Sequence, residues 1–197
     1  MALLTALFAT ALLMALGLSV LLLGSAETTL AAHDRDVRAL GYASHAAAAV
    51  AAADLRGLPT WAALAAPGAV PEASATPGQF VDATLVPAAP WGGPPIDLRA
   101  LTVQLQTDSD ARAPSGGPGP AWRLFEYGPL TRLIPEAASR NPYYLVVWVA
   151  DDNGNVVTRA AAYGPGGARS ITEVSARREP VPDGPDRVRV LTIRPGR

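Results

Sequence analysis

Residues 1–26, MALLTALFATALLMALGLSVLLLGSA, carry no charged side chain, and Glu27 follows at once. The fold turns on whether this run is a signal to be removed, a simple anchor, or the start of a longer structural helix. A membrane-spanning helix needs about 20 apolar residues, each rising about 1.5 Å. Residues 2–26 meet that length, with Leu3, Leu4, Leu7, Leu12, Leu13, Leu16, Leu18, Leu21, Leu22 and Leu23 supplying much of the apolar surface. A secretory signal has a basic start and an apolar core of about 7–15 residues. This run is longer and has no Arg or Lys before it, so spanning is the better reading. Gly24-Ser25-Ala26 still fits a small-residue cleavage site, which keeps a cleaved, exported product open as an alternative. Arg35 and Arg38 lie after the run, mixed with Glu27, Asp34 and Asp36, so basic residues give little sense of orientation.

The stretch after the run decides between anchor and structural helix. ETTLAAHDRDVRALGYASHAAAAVAAADLRGL (27–58) has no Pro and is rich in Ala, the best helix former. Leu30, Val37, Leu40, Ala47, Val50 and Leu58 fall roughly on one helical stripe, with Asp34, Arg35, Arg38 and Arg56 off it. One helix is therefore expected from near residue 2 to about Arg56, stopped by Gly57 and Pro59. A simple anchor would place a flexible linker between span and domain; none is visible here.

Beyond residue 58 the sequence changes character. Thr60 suits the cap of a short helix over Trp61–Ala66. Residues 67–96, rich in Pro, Gly and Ala without a period, read as an extended surface loop. Leu101, Val103 and Leu105 alternate with polar residues and predict a half-buried strand. SDARAPSGGPGP (109–120) reads as a flexible loop, Trp122–Tyr127 as a strand, and LTRLIPEAASR (130–140) as irregular or briefly helical. YYLVVWVA (143–150) is the strongest strand signal. It meets Asn153-Gly154, a dipeptide suited to a tight hairpin because both residues tolerate positive φ. Return strands follow at Val156–Tyr163, within Ala168–Arg177, and at Arg187–Ile193 after the Pro182-Asp183-Gly184 turn.

The expected fold class is α+β: a long N-terminal α-helix, its first half membrane-spanning, packed on a C-terminal antiparallel β-sheet of four to six strands. The expected divisions are a transmembrane part (1–26), a helix continuation packing on the sheet (27–58), a Pro/Gly-rich connection (59–96) and the antiparallel β domain (97–197). Leu40, Ala47 and Val50 are expected to pack against Val103, Val146, Trp148 and Val190.

Composition narrows function. The net charge of the 197-residue chain is −1, and all 16 basic residues are Arg, with no block of like charge, so nucleic-acid binding has no footprint. The absence of cysteine excludes disulfides, thiolate metal sites and a cysteine nucleophile. His33 and His45 stand twelve residues apart on the expected helix, more than three turns, and cannot share a metal by themselves. Ser44 and His45 are adjacent and point to different faces, so they form no catalytic pair. Asp151, Asp152, Asn153 and Asn155 resemble the acidic start of a calcium loop. Flanking strands and the lack of a terminal glutamate make a hairpin turn the better reading and leave at most a weak metal site. Gly164–Gly167 lacks the helix that would make it a phosphate cradle. Trp61, Trp91, Trp122 and Trp148 are scattered and read as core or cover. No enzyme constellation and no cofactor site emerges.

Two stretches carry a family resemblance. ALLTALFATALLMALGLSVLLLGSAETTLAAHDRD resembles the N-terminal segment of PilX-type minor pilins of type IV pili, in which an ALL-like apolar run meets a polar segment with ET or RT and then a long helix. YYLVVWVADDNGNVVTRAAAYGPGGARSITEVSARRE is similar to their last third: a YxVWV-like strand, an acidic turn with NG, a VxRAxAxGPxGAR return and an EVxxxR strand. The matches cover roughly residues 2–56 and 142–179, and Gly164–Arg169 is the most telling part. The resemblance implies a prepilin whose leader is cut after a glycine by an inner-membrane peptidase, with Met1 as the possible mature N-terminus. Thr5 then stands where major pilins carry a glutamate. Some minor pilins, and the related GspK-type pseudopilins of type II secretion, lack that glutamate at filament tips. The implied role is a non-enzymatic subunit that helps to initiate or cap filament assembly. Its implied partners are other pilins or pseudopilins through the N-terminal helix, the inner-membrane assembly machinery and the lipid bilayer, with the C-terminal domain periplasmic and, after assembly, in the pilus. The alternative is an exported or anchored β-rich binding or adhesive domain.

Overall fold

The computed structural model describes residues 2–58, 80–113, 118–135, 142–152, 154–179 and 187–196. The expected helix at 61–66, the turn at 182–184, and the placement of Asn153 and Met1 lie outside these residues. Helix α1 spans Ala2–Gly57, so helical backbone runs through Glu27 as the Ala-rich, Pro-free sequence predicts. The chain divides into two compact units, Met1–Arg38 and Ala39–Arg197, and α1 contributes to both. The second unit holds a long helical segment packed on a five-stranded antiparallel sheet, the α+β layout expected.

The strands are β1 (Arg123–Pro129), β2 (Tyr144–Asp152), β3 (Asn155–Tyr163), β4 (Arg169–Glu179) and β5 (Arg187–Pro195), ordered in space as in sequence. Such a meander needs only short reversals between neighbours. The β2–β3 register ends at Asp152↔Asn155 and leaves two residues in the turn. Gly154 sits there at φ 82°, a conformation that costs glycine nothing.

Residues 39–57 of α1 cover one face of the sheet. Leu40, Ala43, Ala47, Ala51 and Leu55 recur every three or four residues, and all are buried. They meet Leu145, Val147, Val149, Val156, Ala160, Ala162 and Val174. Alanines on both sides let the helix axis come close. At the β3–β4 connection a Cβ on Gly164 would sit 3.2 Å from the Tyr143 ring and 3.4 Å from Leu40, so that backbone also approaches closely.

This packing corrects the expected partner set. Leu40, Ala47 and the half-buried Val50 do face the sheet, but Val146 and Trp148 point to the opposite side. Val103 is 66% exposed, and Val190 is exposed on β5. Strand β2 is apolar on both faces, so its alternation does not reveal which residues look toward α1.

Residues 101–105 require a second correction. They belong to helix α2 (Leu98–Ala111), not to a strand. Asp97 caps it, accepting a hydrogen bond from Ala100 N at 2.9 Å. Leu98 and Leu105 lie on the buried side, with Leu101 half-buried between them. Helical spacing explains these positions as well as alternation does. Helix α2 packs on the other sheet face, against a cluster containing Leu124, Tyr127, Tyr144, Val146, Trp148 and Ala161. Trp148 Nε1 donates to Thr102 Oγ1 of α2 at 2.9 Å. Part of the expected surface loop is also buried here, through Ala89 and Ile96.

The two outer strands differ. Along β1, Tyr127 exchanges hydrogen bonds with Phe80 O and Asp82 N, so the preceding segment shields that edge. Among the described residues no segment does the same for β5.

Candidate assembly surface and polar sites

Within the first unit, residues 2–26 have one chemical character. All ten leucines expected to form the membrane or assembly surface are exposed, from 55% at Leu16 to 82% at Leu3. A helix apolar on every side suits lipid or a ring of other helices. By length and composition α1 is long and apolar enough to cross a membrane. Three of its hydroxyls bond within the helix: Thr10 donates to Ala6 O and Leu7 O, Ser19 to Ala15 O, and Ser25 to Leu22 O. Internal pairing of this kind is what a medium without water demands. Charge begins only at Glu27, and Arg38 pairs with Asp34 at 2.7 Å.

Two polar groups interrupt the contact between the second unit's helical segment and the sheet. Ser44 Oγ donates to Gly41 O at 2.9 Å and lies 2.9 Å from Thr172 Oγ1 and 3.3 Å from Ser170 Oγ on β4. This hydroxyl cluster fixes the register of helix on strand. The second group is Glu126, fully buried on β1. Phe125 is an extra residue in the β1–β2 ladder, a bulge that turns Phe125 and Glu126 to the same face. Glu126 thereby meets Asp54 of α1. Burial first, then the hydrogen bond and charge of Asp54, push the Glu126 carboxyl up to about 9. As two carboxylates this pair would have no donor between them, and among the described residues neither Glu126 oxygen nor Asp54 Oδ2 finds one elsewhere. With one proton on Glu126 the pair becomes a hydrogen bond. Arg123 on β1 and Arg178 on β4 share this face, and Arg178 Nη2 donates to Leu58 O just past α1.

On the other face, past the end of α2, lies a groove of about 670 Å³ lined by Arg112, Trp122, Asp151, Asp152, Arg159, Glu173 and Arg194. Arg159, Glu173 and Arg194 are lateral neighbours on β3, β4 and β5. Glu173 accepts from Arg159 Nη1 at 2.7 Å and from Arg194 Nε at 3.0 Å. Burial lowers the Arg159 pKa, and the Glu173 carboxylate works against that shift.

Two of the four weak metal candidates make other contacts. Asp151 Oδ1 accepts from Gly154 N at 3.0 Å and stiffens the hairpin turn. Asn155 Oδ1, the atom that would ligate, accepts from Arg177 Nε at 2.9 Å. Among the described residues no group of three or more His, Asp or Glu could hold a metal ion. His33 and His45 are exposed on α1. Sequence reading missed the Asp54–Glu126 pair, whose one signal is a lone acid inside the apolar strand LFEY.

No family model matches the chain, and neither the curated proteins nor the solved structures contain a match.

Proposed function

We propose that this chain is a non-enzymatic structural subunit of a type IV pilus-class filament, a minor pilin or a pseudopilin, that helps to initiate or cap assembly. The supporting observation is α1, which is apolar on every side over residues 2–26 and presents a face of small side chains to the sheet over residues 40–55. Before assembly the apolar stretch lies in the inner membrane with the sheet domain in the periplasm. After assembly, neighbouring pilin helices replace lipid, with little change in surroundings for an all-apolar surface.

Because the chain contains no cysteine, Leu12→Cys creates a unique thiol within the apolar stretch. The variant is produced in the native host, its thiol is alkylated with a membrane-permeant benzophenone maleimide, and cells and sheared filaments are irradiated so that the benzophenone inserts into a C–H bond of whatever side chain lies beside it. Cross-links from position 12 to filament or pseudopilus subunits are expected. A mature protein that begins at Glu27 and is recovered without membrane or filament association would overturn the proposal in favour of an exported binding domain.

A further inference from the structure

The described part of β5 is unlike every other strand. It is nine residues long, lies at the end of the sheet, and is exposed along almost its whole length. A bare strand edge offers unpaired N–H and C=O groups to an incoming strand, and proteins usually blunt such edges. The β1 edge is blunted by residues 80–82.

The two faces of β5 are chemically opposite. Register with β4 places Val188, Val190 and Ile193 on the side of Val174 and Ala176, the face that α1 covers farther along the sheet. Coverage runs out here: Val190 is 38% and Ile193 62% exposed. Leu191, the extra residue of a bulge between Val190 and Thr192, is exposed too. The other side carries Arg187, Arg189 and Arg194, opposite Glu179, Arg177 and Glu173. Glu179 lies 3.5 Å from Arg189 at the surface, and Glu173 is shared between Arg194 and Arg159. No acidic residue occurs in β5 itself.

We propose that the outer edge of β5, which no other described residue pairs, is a strand-addition site for an extended segment of a partner protein in which acidic and apolar residues alternate. Such a segment would place its apolar residues beside Val188, Val190 and Ile193 and its carboxylates beside Arg187, Arg189 and Arg194, while its backbone extends the ladder. A second copy of β5 is the wrong occupant. Pairing two identical edges brings two Arg stripes together, and like charges on adjacent strands are unfavourable. The site does not depend on the filament reading.

The test uses the full chain in non-ionic detergent micelles and labelled peptides of the same nine-residue length as β5. One peptide alternates Glu and Val, a second alternates Lys and Val, and a third is the Glu/Val peptide with alternate amides N-methylated. The expected result is saturable, salt-sensitive binding of the Glu/Val peptide alone. The double variant Arg187→Glu, Arg189→Glu, with an unchanged circular dichroism spectrum, should bind the Glu/Val peptide about tenfold more weakly and gain affinity for the Lys/Val peptide. Failure of the Glu/Val peptide to bind overturns the proposal. So does equal binding of all three peptides, which would mean apolar adsorption, or disulfide cross-linking between two copies carrying Thr192→Cys, which would make the chain its own partner.

Discussion

The two faces of the sheet solve burial by different means. Under α1 the contact is made mostly of alanine, valine and leucine with a few aromatic rings, and its polar content is a hydroxyl cluster, a carboxyl pair and two arginines. Under α2 it is made of aromatic rings, a Trp–Thr hydrogen bond and, past the end of the helix, a row of Arg and Glu at an open groove. Small side chains bring a helix close and leave no room for error, whereas large amphipathic ones cover more area and tolerate water at their tips. The first face should therefore be intolerant of substitution and the second more forgiving.

The largest effect should come from Leu40→Asp, which puts a charge without a partner into the close-packed face. A loss of about 3–5 kcal/mol is expected, a large part of the roughly 5–15 kcal/mol a domain typically has. Urea unfolding of the full chain in micelles, followed by tryptophan fluorescence, measures it; a native midpoint would sink the packing described here.

Next comes the carboxyl pair in that face. The folded pKa of Glu126 is raised from 4.5 to about 9, so the folded state holds a proton that the unfolded state has released between those values. Its contribution is full below about pH 4.5 and is lost as pH rises toward about 9. Glu126→Gln should flatten this decline and raise stability near pH 8 by about 2–4 kcal/mol. Parallel stability–pH curves for the two proteins would refute the assignment.

Smaller changes belong to the second face. Trp148→Phe keeps most of the ring and removes the bond to Thr102, for an expected cost of about 1 kcal/mol in the same unfolding measurement. Val103→Asp should alter stability by no more than about 0.5 kcal/mol, since that side chain is exposed on α2. A large loss there would restore Val103 to the core.

Legibility followed the same division. Helix α1 and strands β2–β5 could be read because Ala-rich sequence, β-branched runs and an Asn-Gly turn are local signals. Residues 98–111 misled because Leu101, Val103 and Leu105 fit both periods over so short a span; Asp97, the cap, is the residue that distinguishes them. The facing of β2 was hidden because YLVVWV is apolar on both sides, and only pairing with Ala160 and Ala162 against Arg159 and Tyr163 resolves it. The candidate polar sites were least legible. Glu126 reaches Asp54 through a bulge, and Arg159 meets Glu173 through strand register, and neither is encoded by spacing along the chain.

The sequential order of the meander also sets an order of events. Each strand pairs with its immediate neighbour in the chain, so β1 to β5 can zip together through short loop closures. The contact of Ser44 with Thr172 instead joins residues 128 positions apart and must wait until that sheet exists. A helix already formed before that moment has no further backbone freedom to lose when it docks. Formation of the sheet, rather than of α1, should therefore set the pace at which this chain becomes native.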